Sequence, residues 1–215
     1  HYTGMRKESR AIKRLCDSKS KVSSHYLIKD NGEVLNLVPN LYRAWHAGKS
    51  RWKKYKYLNK YSIGIEINNP GHDHKYKKFS SKQIFSLIKL IKYLIKKYNI
   101  KEENILGHSD IAPDRKKDPG EKFPWSRLAK KKLCKWHNLN ENKIKRYRNL
   151  KVENYEEKIF YNNLYKIGYS KMVGTKNKDK KINLVKAFQR KFRQDFINGK
   201  IDQECLLISK NLIKS

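Results

Sequence analysis

The chain has 215 residues, room for one ordinary domain or for one plus a small second one. Lysine and arginine number 52 against 20 acidic residues, a formal charge of +32. The excess is mostly lysine, spread along the chain beside abundant asparagine, isoleucine and tyrosine, which argues against a dedicated nucleic-acid reader, where arginine clustered on one face is expected.

In chain order, His1-Tyr2-Thr3-Gly4 ends a strand or starts a turn. Met5, Ala11, Ile12 and Leu15 fall at helical spacing and predict a first helix over Met5 to Leu15. Val22 to Pro39 predicts a hairpin, because HYLI and EVLNLV alternate like strands around Asn31-Gly32, a strong short hairpin signal. Tyr42 to Tyr57 is a loop rich in rings and cations, including Trp45, His46 and Trp52. Such a surface suits a sugar or peptide cleft, or is a loop whose rings merely pack.

Tyr61 to Asn69 predicts a strand with Ile63, Ile65 and Ile67 on the core face. Glu66 stands on the other face beside Gly64, either as a carboxylate with room for acid–base work or as a solvated strand residue. His72 and His74 have metal-like HxH spacing but no acidic partners in pattern, and read as a polar loop. Ser80 followed by Gln83 predicts a capping box, and Ile84, Leu87, Ile88, Ile91, Leu94, Ile95 and Tyr98 form the apolar stripe of a core-facing helix. Asn104 to Gly107 predicts a short strand that delivers His108, and Phe123-Pro124-Trp125 opens another helix with Leu128 and Leu133 inward.

His108 to Gly120, HSDIAPDRKKDPG, carries a histidine, a lysine (Lys116) and an aspartate (Asp118) between residues that stiffen turns. Histidine and aspartate are normal zinc ligands, and a catalytic zinc keeps three protein ligands and an open position. The third ligand must lie elsewhere; otherwise the stretch is an ordinary polar loop. Residues 138–153 are polar and basic and read as a linker. Tyr155 to Ile167, Ile182 to Phe196 and Asp202 to Ile213 then predict three helices, the last capped by Asp202.

Cys16, Cys134 and Cys205 lie far apart without CxxC spacing and read as free buried thiols. No apolar run approaches the roughly 18 residues needed to span a bilayer. The opening at His1 without a methionine suggests that an upstream segment has been removed.

Taken together, His1-Tyr2-Thr3, Ser62-Ile63-Gly64-Ile65-Glu66, and Gly107-His108-Ser109-Asp110 through Lys116, Asp118, Pro119 and Gly120 resemble the zinc-dependent N-acetylmuramoyl-L-alanine amidases of the AmpD/AmiD type. This is the amidase-2 group, related to peptidoglycan recognition proteins. The resemblance covers roughly residues 1–137 and includes Arg43 to Gly48, Leu58-Asn59 and Phe123-Pro124-Trp125. The helix with Val185-Lys186-Ala187-Phe188-Gln189 more weakly resembles part of a three-helix peptidoglycan-binding domain.

The resemblance implies an α/β fold, a mixed central sheet flanked by helices, with a catalytic domain at 1–137, a linker at 138–153 and a three-helix module at 154–215. It implies one Zn2+ per chain, held by His1, His108 and Asp118, with His1 ending the first strand beside the strand that carries His108. Glu66 is implied as general base and Lys116 as oxyanion stabiliser, with Trp45, His46 and Asn59 near the substrate. The reaction implied is hydrolysis of the amide between the muramic-acid lactyl group and L-alanine in peptidoglycan or muropeptides. The implied location is the cell envelope or periplasm, with the cytoplasm as alternative. His25 is read as packing, His137 as surface, and Asp110 as a hydrogen-bond acceptor that fixes its loop. A non-catalytic peptidoglycan receptor would share the fold but typically lacks part of the zinc set.

Overall fold

The computed structural model describes residues 1–171 and 178–214. Helix α1 (Glu8–Cys16) precedes a three-stranded sheet of β1 (Tyr26–Ile28), β2 (Val34–Asn36) and β5 (Ile65–Ile67), in the order β2-β1-β5. β1 pairs antiparallel with β2 through the Asn31-Gly32 turn, and parallel with β5, with Leu27 opposite Glu66. Between them lies a two-stranded ribbon, β3 (Arg51–Trp52) and β4 (Tyr55–Lys56). The opening residues add to the free edge of β5, where Tyr2 bridges Ile67 in parallel and the Thr3 amide donates to the Ile67 carbonyl at 3.2 Å.

Helix α2 (Ser81–Tyr98) covers one face of the sheet. Its start is the predicted capping box, with the Ser80 hydroxyl accepting from the Gln83 amide and the Gln83 side chain accepting from Ser80. Ile84, Leu87, Ile88 and Ile91 pack with Ile28, Ile67, Phe123, Trp125 and Leu128, while Tyr98 remains exposed where the stripe drifts off the contact. After α2 come α3 (His108–Ile111), α4 (Trp125–Ala129) and α5 (Glu141–Ile144). The last three helices are α6 (Asn154–Ile167), α7 (Lys178–Phe192) and α8 (Gln203–Leu212), the last capped by Asp202 accepting from the Cys205 amide. Residues 172–177 and 215, inside the expected three-helix module, lie outside the described residues.

Several expectations change. The strand expected over Tyr61 to Asn69 is paired only at Ile65–Ile67, because its neighbour β1 offers only three residues. Asn104 to Gly107 is no strand: a 3-10 turn at Glu102–Asn104 runs into extended backbone, and His108 opens α3. Residues 138–153 carry α5 and a further turn, and Ile144 is buried in the core. Arg148 there binds Glu204 and Asp195, with Nε donating to Glu204 at 2.7 Å. His137 is buried, stacked on Trp136, and Cys16 is exposed at the end of α1. Cys134 and Cys205 are buried, which pushes their thiols up to about 11 and about 12.

One apolar cluster joins the two halves of the chain. Ala47, Trp52, Leu58, Ile111 and Ala112 share it with Phe160, Leu164, Tyr169, Phe188 and Leu206. Gly168 ends α6 at φ 138° and lies so close to the Trp52 indole that any side chain there would strike the ring.

Candidate metal centre

Three backbone segments meet at one point. His1 is delivered by the edge pairing on β5, where its carbonyl accepts from the Ile67 amide at 3.2 Å. His108 opens α3, and Asp118 lies on the turn that follows. The two segments are tied together, since the Ser109 amide donates to the Asp118 carbonyl at 2.9 Å and Gly107 leaves no room for a side chain against Pro119. The Asp118–Pro119 peptide bond is cis.

His1 Nδ1 lies 2.9 Å from His108 Nδ1 and 3.0 Å from Asp118 Oδ2, and His108 Nδ1 lies 3.2 Å from the same oxygen. Among the described residues, these three alone form a cluster able to hold a metal ion. Ligands about 2.0–2.1 Å from a tetrahedral zinc stand about 3.3 Å apart, so the set is close to the spacing such an ion needs.

The surroundings also prepare the lone pairs. His108 Nε2 faces the Ala47 carbonyl at 3.1 Å, which puts the ring proton there and leaves Nδ1 free to ligate. His1 Nε2 faces His46 Nδ1 at 3.1 Å, and His46 Nε2 faces the Ser62 carbonyl at 3.4 Å. With its proton on Nε2, His46 accepts from His1 and frees His1 Nδ1. Two nitrogen lone pairs and a carboxylate oxygen aimed at one point repel unless a cation stands among them, so this donor set fits zinc.

The electrostatics follow from burial and proximity. Burial opposes charge on His1, but its hydrogen bond to Asp118 and the Glu66 charge outweigh it and raise its pKa. Burial, then the charge on His1, lowers His108 to about 4. Asp118 is also buried, yet hydrogen bonds from both histidines hold its carboxyl well below the usual range. Burial takes His46 down to about 2, so it stays neutral.

Glu66 is buried on β5, not solvated, and its Oε2 has no hydrogen-bond partner among the described residues. Burial pushes its carboxyl up to about 7. Lys116 is half-buried, and its charge bears on His1, His108 and Glu66. His46 and Asn59 line a cleft of ≈ 690 Å³ that also reaches His1, Tyr61, Ile65 and His108. Asn59 accepts from the Ala47 amide at 2.6 Å and so steadies the residue whose carbonyl holds His108. Trp45 lies outside this lining and is 45% exposed. His25 packs behind the site, its Nδ1 accepting from the Gly64 amide at 3.0 Å and its ring edge-on to His46.

Two supports escape a reading of the sequence. His46 comes within reach of His1 because Gly64 has no side chain; a Cβ there would overlap the His46 ring. Arg115 donates from Nη2 to the Ala47 carbonyl at 2.6 Å and to the Lys49 carbonyl at 2.7 Å, clamping the loop over His108. The arginine inside HSDIAPDRKKDPG was a signal in plain view, but its target is remote in sequence.

Comparison with known proteins gives a consistent result. The family model described as N-acetylmuramoyl-L-alanine amidase matches residues 1–121. The chain is 34% identical to N-acetylmuramoyl-L-alanine amidase AmiD of Escherichia coli (strain K12), over 100% of this chain and 80% of that protein. It is 42% identical to the 1,6-anhydro-N-acetylmuramyl-L-alanine amidase AmpD of Escherichia coli (strain K12), over 50% of this chain and 57% of that protein. The solved structure of AmiD from E. coli, in complex with the substrate anhydro-N-acetylmuramic acid-L-Ala-D-gamma-Glu-L-Lys, superposes with a TM-score of 0.87 at 34% identity, covering 100% of this chain and 86% of that one. AmpDh3 from Pseudomonas aeruginosa superposes with a TM-score of 0.86 at 30% identity, covering 100% and 89%.

Proposed function

This chain belongs to the N-acetylmuramoyl-L-alanine amidase family, and on that premise we propose that His1, His108 and Asp118 hold one zinc ion while Glu66 and Lys116 serve the hydrolysis of the bond between the muramic-acid lactyl carbonyl and L-alanine. Peptidoglycan and soluble muropeptides are the substrates. The observation that carries the site assignment is the convergence of three ligand atoms beside a buried carboxylate with a free oxygen.

Zinc, when bound, supplies a Lewis acid that polarises the scissile carbonyl and lowers the pKa of water to about 7. Glu66 takes a proton from the attacking water and passes it to the departing nitrogen of L-alanine. A carboxyl whose affinity for protons lies near neutrality suits both transfers. Lys116 offers a fixed positive charge where the carbonyl oxygen becomes negative. His46 keeps the His1 proton on Nε2, and Asn59 with Arg115 holds the Ala47 carbonyl on His108. Trp45, exposed next to His46 in the chain, is assigned to the glycan or the outer peptide.

The division into a catalytic part at 1–137, a connection at 138–153 and a wall-binding helical module at 154–215 belongs to the same reading, as does a place in the cell envelope. No helix among the described residues is long and apolar enough to cross a membrane.

Mass spectrometry of a digested muropeptide tests the assignment. Expected are a peptide beginning with a free L-alanine amine and a sugar ending in a lactyl carboxylate. A chelator should abolish the products, and added zinc should restore them. Full activity in metal-free protein, or binding without cleavage, would overturn the proposal.

A further inference from the structure

The turn that opens with His108 is gripped from the far end of the chain. Asp110, the third residue of α3, is 1% exposed, and each of its oxygens is engaged. Oδ2 accepts from the Gly107 amide at 2.8 Å and from Lys191 Nζ at 3.2 Å. Oδ1 accepts from the Tyr169 hydroxyl at 2.7 Å. Lys191, on α7, also donates to the Ile105 carbonyl at 3.0 Å, so one ammonium ties the backbone before His108 to the side chain after it. That ammonium stands 4.5 Å from the centre of the Trp125 ring and is itself buried. Tyr169, just past α6, is held edge-on against Trp52 with ring centres 5.1 Å apart.

A charge buried so completely needs all of its donors, and a carboxylate that loses one relaxes toward water. Relaxation here moves the first turn of α3, and His108 with it. We propose that Lys191 and Tyr169 are positioning residues of the metal centre: acting through Asp110, they hold His108 in register with His1 and Asp118. The last helices are then part of the zinc site's scaffold, whatever they also bind. This rests on the reading of His1, His108 and Asp118 as zinc ligands.

The experiment uses the full chain loaded with zinc, and three variants: Tyr169→Phe, Lys191→Met, and the double variant Asp110→Asn with Lys191→Met. Four quantities are read: the rate at which a chromogenic chelator takes the zinc, the melting temperature of the metal-free protein, and kcat and KM on a soluble muropeptide. Supporting residues around metal ligands are typically worth about 10- to 100-fold in metal affinity or activity. Tyr169→Phe and Lys191→Met should therefore release zinc about 10- to 100-fold faster, with the loss in kcat and KM little changed. The double variant removes the unpaired buried charge, so it should recover melting temperature relative to Lys191→Met without recovering zinc retention. Tyr169→Phe removes one hydroxyl and keeps the ring, so it carries the test even if Lys191→Met does not fold. Zinc release at the parent rate in folded Tyr169→Phe and Lys191→Met, whatever their melting temperatures, would overturn the inference and leave the metal centre intact. A parent chain that takes up no zinc would overturn the metal-centre reading itself.

Discussion

Glu66 shows how far a single side chain can be tuned by its position. It lies one residue before a core isoleucine on β5 and opposite Leu27, so it is buried with an oxygen that has no donor among the described residues. Glu66→Gln keeps the shape and removes the proposed base; kcat on a muropeptide should fall about 10²- to 10⁴-fold with zinc still bound. The base works ionised, so the rate should drop as pH falls through its pKa. Burial pushes that pKa to about 7, and a cation at the three ligands favours the carboxylate, so the acid limb should lie at or below that pH. A rate profile measured for both proteins checks this: the limb should vanish in the variant, and an unchanged profile would remove Glu66 from the chemistry. At this scale much was legible. Histidine, aspartate and glutamate are chemically conspicuous, and the turn residues around His108 marked a built loop. The proton-directing role of His46 was hidden, because it depends on a ring reaching across the missing side chain of Gly64.

Elements were legible in proportion to how much of their stability is local. Helix α2 announces itself through its capping box and its 3.6-residue stripe, both written within the helix. A strand depends on a partner, and the regular alternation from Tyr61 to Asn69 could not reveal that β1 would pair only three of its residues. The segment before His108 has the apolar content of a strand, but among the described residues no strand pairs with it, and it gives its Ile105 carbonyl to Lys191. The β5 segment is also the least tolerant of added volume. Gly64→Ala would drive a methyl into the His46 ring, which is confined by His1 and His25. Overpacking of this kind typically costs about 1–3 kcal/mol. A lower melting temperature together with weaker zinc retention is the expected result, and a variant matching the parent in both would show that the ring has room to move.

For the whole molecule, the change in composition near residue 138 was visible, but the fusion that follows it was not. Contacts such as Trp52 against Tyr169 join residues with no common period in the sequence. Removing everything after about residue 150 would expose Trp52, Leu58, Ile111 and Ala112, which now share a core with Phe160 and Phe188. Such a piece should therefore lose most of its activity on soluble muropeptides, because the core that backs the site loses half of its lining. The truncated chain should melt well below the parent and bind zinc poorly, as circular dichroism and metal analysis would report. Parent-like melting of the fragment would instead restore the picture of a separable binding module.

The Asp110 strut also bears on biosynthesis. Chains fold as they leave the ribosome, beginning with the part made first, at about 5–20 residues per second. His1, His108 and Asp118 are all synthesised before Tyr169 and Lys191, so the nascent chain carries the whole proposed ligand set while the Asp110 carboxylate still lacks both donors. On the proposed site, competence to cleave peptidoglycan would thereby be tied to translation of α7, and prematurely terminated products would carry the proposed catalytic residues without the means to align them.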